Sequence, residues 1–397
     1  MQRRIKAALG GTAAVAALAL ALTGCSTSGG SGGGTTGANP LTYRDKDGNC
    51  AAGPNDGVDL DAATAYLQPF MEAPKSIYPT EPLPKPIDPN TVVMYADNGT
   101  PVGDGLWEPY ARAAAETAGV KYVKQMTGSS PADLTAAFNT ILQNEPDILI
   151  VGATSAQLIS DQLTQLKNDG VVIVDGADPD ATKFGFDDSL GGLGGSEVNG
   201  KVLAAGAIYF TCGTADNFVF YNIPELGFSA IQQQAAAAYL KELNPNATMR
   251  TVDISIATTN SDAVVADLKA HPETQFFITP ADQFQIGIAQ AAQTAGLTNA
   301  YGFGQSSIAP NLQQIKDGEE TAGFVVDFQA FLYQLYDEGF RKLQGVFEPY
   351  EDWDKVNAIF GHVLTPGNIA DSTVDMTTGN YVAMDDEVEQ YAKLWGK

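Results

Sequence analysis

The chain has 397 residues, with 22 Lys and Arg against 47 Asp and Glu, two His and three Cys, giving a formal charge of −25. This length calls for two or three domains, and a hydrophobic fraction of 44% supplies cores rather than a disordered chain. A field of this sign repels phosphate backbones, no Lys/Arg cluster in the body reverses it, and His271 and His362 are too few for a multi-histidine metal centre.

In chain order, Arg3, Arg4 and Lys6 precede an apolar stretch from Ala7 to Leu22, which ends in Leu22-Thr23-Gly24-Cys25. Charged and apolar regions in this order read as a secretory signal, the run being short for a permanent span. The tetrapeptide resembles the lipobox of bacterial lipoproteins, in which the cysteine takes a lipid on sulfur and becomes the new N-terminus. An ordinary secreted protein with an incidental cysteine is the plainer alternative. Residues 1–24 are therefore read as a lipoprotein signal peptide, and loss of its three cations leaves a charge of −28. Residues 25–40, lipidated Cys25 and a Gly/Ser run, read as a flexible spacer.

Residues 41–90 form an N-terminal extension. Asp45, Asp47 and Asn49 alternate as in part of a calcium loop, but Cys50 stands where the loop needs glycine, so a polar turn fits better. Asp59 to Phe70 reads as a short helix, and seven prolines from Pro69 to Pro89 favour an extended strap.

From Thr91 the pattern alternates regularly. Runs rich in β-branched residues at 91–96, 121–123, 147–151, 171–175, 218–221, 249–254, 275–279, 300–304 and 324–327 read as strands, with helical segments between them. Ser130-Pro131, Thr154 or Ser155, and Asn260 or Ser261 are expected N-caps, while Gly119, Gly170 and Gly296 sit where helices should stop. Strand–helix repetition means parallel, doubly wound sheets of α/β class, and two lobes of about five strands suit the length.

In such sheets ligands bind beyond the carboxyl ends of the strands. Candidate ligand-binding residues there are Asp97, Asn98, Asp104 and Trp107 around the first strand, Thr154 and Asp175 after the third and fourth, then Asn222, Asp282, Gln305 and Asp327. Carboxylates and amides chelate hydroxyls while an aromatic ring covers an apolar face, a combination suited to sugars and polyols. Each acid taken singly also reads as a helix N-cap, and Trp107 as packing.

Several of these segments together resemble the type I periplasmic binding proteins of sugar ABC transporters, the ribose-binding class. They are Val171-Val-Ile-Val-Asp175, Phe186-Asp-Asp-Ser-Leu-Gly-Gly192, Asp282 to Gly296, and Ile315-Lys-Asp-Gly318 before Phe324-Val-Val-Asp327. The resemblance spans about Thr91 to Thr377 and implies two similar lobes joined by a three-segment hinge. Crossovers are expected near Asp187–Asp188, Asp327–Gln329 and His362–Thr365. The expected lobes are 91–187 with 328–362, and 188–327 with 363–397. Asp175 falls where the family has a sugar-hydroxyl acceptor, and Asp327 where it has a hinge glutamine. Gly176 stands in place of a binding arginine, Ala281 in place of an asparagine, and Gly304 in place of an aspartate, which puts ribose itself in doubt. A cleft rich in carboxylates and without arginine disfavours anionic ligands.

Other constellations are incomplete. Gly191-Gly-Leu-Gly-Gly-Ser-Glu197 lacks the last glycine of a dinucleotide fingerprint and has no Walker lysine, and neither histidine pairs recognisably with a serine or an acid. With Cys25 assigned to lipid, Cys50 and Cys212 are able to form a disulfide outside the cytoplasm, although the sequence alone leaves the pairing open.

The expectation is a monomeric, lipid-anchored receptor on the extracytoplasmic face of a Gram-positive, actinobacterial type of cell. It would capture a small neutral sugar or polyol for an ABC transporter permease, with no metal, cofactor or nucleic acid. A sensor presenting a bound signal to a membrane receptor, and an extracellular glycoside-active enzyme, are the alternatives.

Overall fold

The computed structural model describes residues 43–44, 48–99, 103–128, 130–152, 154–186, 189–255, 261–298 and 300–397. The expectations for Cys25 with its signal and spacer, for Asp45 and Asp47, for the crossover at Asp187–Asp188 and for an Asn260 cap lie outside these residues.

Asp59 accepts the Ala62 N–H at 2.8 Å and opens α1 (Leu60–Met71). The helix continues through Pro69 because Ala63, Leu67 and Phe70 are buried against a neighbouring helix, so its last turn rests on packing rather than propensity. Beyond it, β1 (Val92–Asp97), α2 (Glu108–Ala118), β2 (Lys121–Met126), α3 (Pro131–Asn144), β3 (Ile148–Gly152), α4 (Ser160–Asn168) and β4 (Val172–Gly176) build a parallel four-stranded sheet, ordered β2-β1-β3-β4. Ser130 caps α3 through the Asp133 N–H at 3.1 Å, and Gly119 ends α2 at φ 68°.

The second set is α5 (Leu193–Phe210), β5 (Asn217–Asn222), α6 (Ser229–Leu243), β6 (Thr248–Asp253), α7 (Ser261–Ala270), β7 (Phe276–Thr279), α8 (Ile288–Ala295), β8 (Gly302–Gln305), α9 (Ala309–Lys316) and β9 (Ala322–Val326). The chain then runs through α10 (Phe328–Gln344), α11 (Trp353–Phe360), β10 (Gly361–Leu364) and α12 (Glu387–Leu394). The second sheet has six strands, ordered β10-β9-β8-β7-β5-β6, and β10 alone in it is antiparallel to its neighbour. Among the described residues the two main sheets thus hold four and six strands rather than about five each.

Both faces of each sheet are covered, which explains the near-continuous apolar strands. In the first lobe Val93, Tyr95, Ile148 and Ile150 face α2 and α10, while their neighbours Met94, Leu149 and Val151 face α3 and α4. In the second, Phe218, Phe220, Phe276 and Ile278 face α5 and α6, and Val219, Tyr221 and Phe277 face the other way. Gly200 lets α5 and α6 meet closely, since a Cβ there would stand 2.5 Å from the Gln232 carbonyl oxygen.

Residues 363–397 were expected with the second lobe, and α12 differs. Tyr391, Leu394 and Trp395 belong to the first lobe's core, where the Trp395 ring stacks on Tyr333 at 5.6 Å and its Nε1 donates to Asp337 Oδ1 at 3.0 Å. The buried His362–Val363–Leu364 stretch, expected as a crossover, is instead part of β10.

The N-terminal extension touches both lobes. Cys50 and Cys212 form a disulfide with a Cα–Cα distance of 5.7 Å, fastening the extension at Cys50, which also bridges to Arg44, to the residues just after α5. Past α1 the proline-rich strap crosses to the first lobe, where the Leu83 N–H donates to the Leu394 carbonyl at 3.0 Å and Arg341 Nη2 to the Glu81 carbonyl at 2.6 Å.

Candidate ligand cavity

The carboxyl ends of strands in both sheets open on one cavity of about 500 Å³. From the first lobe come Tyr95 on β1, Asn98 just after it, Trp107 at the end of a π-helical turn, and Gly152 closing β3. From the second come Ser196 and Asn199 in the first turns of α5, Gln232 in α6, Gln283 after β7, and Gln305 and Ser306 at the end of β8. Where the chain crosses between lobes, Phe324, Val326, Phe328, Phe331 and Phe360 form the apolar floor.

Trp107 is held by contact with backbone. A Cβ on Gly152 would stand 2.6 Å from the indole, so only glycine at the end of β3 lets the ring lie there. Its centroid is 5.2 Å from that of Phe331 and 6.0 Å from that of Phe328, and Phe331 meets Phe360 edge-on at 5.4 Å. On the opposite wall Gln232 Nε2 donates to Gln305 Oε1, and Asn357 Nδ2, behind the wall, donates to Asn199 Oδ1 at 2.9 Å. Trp107 Nε1 and Gln232 Oε1 are both buried.

Of the ten candidate residues, Asn98, Trp107 and Gln305 line the cavity; the other seven do not. Asp97, fully buried, accepts the Gly99 N–H at 2.8 Å and pairs with Lys124 at 2.7 Å; Lys124 also holds exposed Asp104 at 2.7 Å. Thr154 donates to the Gly152 carbonyl at 3.1 Å. Asn222 donates to Asp253 at 2.7 Å and accepts from Ser229 at 2.7 Å.

Asp175 accepts from the Ser189 hydroxyl and from the Asp178 N–H at 3.1 Å, tying down the loop after β4. Asp282 accepts from Gln285 and Ser307. Asp327 caps α10 through the Ala330 N–H at 2.9 Å and accepts the Ala383 N–H at 2.6 Å, while its own N–H donates to the Phe360 carbonyl at 2.6 Å. Asp327 is therefore a knot joining two crossings and the C-terminal segment.

The acids expected to make the cleft carboxylate-rich do not line it. Among the described residues no Asp, Glu, Lys, Arg or His lines the cavity. Asp175, Asp282 and Asp327 stand one layer behind, where burial favours their neutral forms. Burial pushes Asp282 up to about 7, against its bonds from Ser307 and Gln285, and pushes Asp327 up to about 6. Burial, with the nearby acid as second cause, takes Glu320 to about 10 beside Asp282 and Glu387 to about 9 beside Asp327.

Sequence reasoning missed Asn199, Gln232 and the phenylalanine floor. Asn199 and Gln232 lie inside helices, where no strand-end rule points to them. Phe328 and Phe331 were within reach: an i, i+3 aromatic pair directly after Asp327 puts both rings on the face of α10 nearest a crossover.

Two parallel α/β lobes with a cavity at their strand ends are the architecture of type I periplasmic binding proteins. The chain belongs to the periplasmic binding protein domain family, whose model matches residues 92–345. No curated protein matches it in sequence. Among solved structures it is similar to an ABC transporter solute binding protein from Agrobacterium vitis with bound allitol, at 17% identity and a TM-score of 0.58, covering 71% of this chain and 97% of that one. A solute binding protein from Burkholderia graminis in complex with D-arabinose matches at 15% identity and a TM-score of 0.59, covering 72% and 98%. A putative LacI transcriptional regulator from Bacteroides fragilis matches at 13% identity and a TM-score of 0.58, covering 71% and 98%.

Proposed function

We propose that this chain is an extracytoplasmic solute-binding lipoprotein, anchored through Cys25, that captures a small neutral sugar or polyol and delivers it to an ABC importer. The observation that carries the ligand class is the amide-bearing cavity between the lobes, whose lining holds no charged side chain among the described residues. Without a cation among those residues, the site offers no charge-assisted donor to a phosphate or carboxylate. Amides both donate and accept, and so match hydroxyl groups of either polarity. The signal and lipobox pattern supports export and anchoring, and the sugar alcohols and sugars described in similar structures support the ligand class.

Capture requires binding without turnover. A ligand touching both walls would favour the closed arrangement over the open one by its differential affinity, and the closed form would dock on the permease. A thermal-shift panel of neutral sugars, polyols, sugar phosphates and uronic acids tests this reading, since a ligand that binds only the folded state raises Tm. Shifts confined to neutral members are expected; shifts confined to anionic members contradict it. Product formation would favour the enzyme alternative, and co-purification with a signalling receptor instead of a permease the sensor.

A further inference from the structure

The cavity is divided by chemistry, and the division narrows the ligand. One wall carries the amides of Asn199, Gln232 and Gln305, the last two joined to each other. The floor and facing wall form an aromatic box of Trp107, Phe328, Phe331 and Phe360, with neighbouring ring centroids 5.2, 5.4 and 6.0 Å apart. The expected hydroxyl acceptors Asp175, Asp282 and Asp327 stand behind these walls rather than in the lining, and each accepts there from backbone or side-chain donors.

A free sugar or polyol bears hydroxyls along its whole length. Those at the amide wall find partners; those pushed against the carbon rings of Phe328, Phe331 and Phe360 lose water without gaining a donor or acceptor there, a cost that offsets the gain from stacking. The volume, about 500 Å³, falls in the range of pockets that bury drug-sized molecules. A ligand suited to both ends is amphiphilic: polyhydroxylated at one end, apolar and flat at the other.

Resting on the solute-capture reading, we infer that the preferred ligand is an uncharged glycoside bearing an apolar aglycone, with the sugar against the amides and the aglycone in the aromatic box. Calorimetric titration of the full chain compares D-glucose, D-galactose and D-allose with their 4-nitrophenyl glycosides. The glycoside of the best-binding sugar should have a Kd at least about tenfold below that of its free sugar. Phe328→Ala should bring that ratio down to about threefold or less, and Gln305→Ala should weaken both ligands alike. Phe328→Leu, which keeps the apolar volume but not the ring, serves as second variant should the alanine form not fold, and should also reduce the ratio. A free sugar binding as tightly as its glycoside, or a ratio unmoved by the Phe328 variants, overturns the inference while leaving solute capture standing. Binding of neither series overturns the capture reading and this inference with it.

Discussion

Asp175, Asp282 and Asp327 each lie near or just beyond the end of a strand on the side where the cavity opens, yet none lines it, and each accepts from donors within the protein instead. Asp175→Ala should destabilise by roughly 1–3 kcal/mol through the donors it strands at Ser189 and Asp178, with ligand affinity changed less than about threefold. Paired denaturation and calorimetry check this; a large affinity loss without destabilisation would return Asp175 to the site. The buried acids also set a pH dependence. Asp327 and Glu387, with folded values raised to about 6 and about 9, contribute stability that is fully present below their ordinary values near 4 and is lost as pH rises through the folded ones. His362, lowered by burial to about 4, opposes this only below about pH 6.5, where the unfolded chain gains its proton. Thermal melts should therefore show a lower Tm at pH 9 than at pH 6, and Glu387→Gln should flatten that slope. A Tm that rises between pH 6 and 9 would contradict the assignment. These roles were only half legible in the sequence. Residue type and strand end gave position, but an acid that caps its own loop and an acid that faces a ligand read alike until the backbone donors of Ala330, Ala383 and Asp178 are seen converging.

At the scale of elements, the nine expected strands form with ends shifted by at most about three residues, because β-branched runs between glycine-terminated helices leave little choice of register. β10 escaped notice: four residues beginning Gly361-His362 are too short for periodicity, and their pairing with β9 is decided by distant sequence. α12 went to the other lobe than expected since its amphipathic face fits any apolar surface, and the stack of Trp395 on Tyr333 with its hydrogen bond to Asp337 chooses one. The extension was readable as a helix and strap, but not as an element attached to both lobes. Its disulfide spans 162 residues. On the chain-entropy model, closing that loop stabilises by about 4–5 kcal/mol, so Cys50→Ser with Cys212→Ser should lower Tm by several degrees. Unchanged melting would mean that the packing of α1 already holds the extension.

For the whole molecule, the lobed architecture places amides on one side of a cavity and aromatics on the other, with Asp327 knotting the crossings on which they meet. The acidity of the chain survives in this picture as a property of its surface and second layer, while the cavity itself carries no charge among the described residues. Lobe closure on a ligand should compact the protein, and small-angle scattering should show a reduced radius of gyration with a saturating neutral ligand. No change at saturation would place binding outside the hinge. The most direct test is calorimetric titration of the full chain and of Gln232→Ala and Gln305→Ala with the neutral ligand that gives the largest thermal shift. The account predicts saturable one-to-one binding in the native chain, weakened at least about tenfold in each variant. Equal affinity in all three proteins would contradict it.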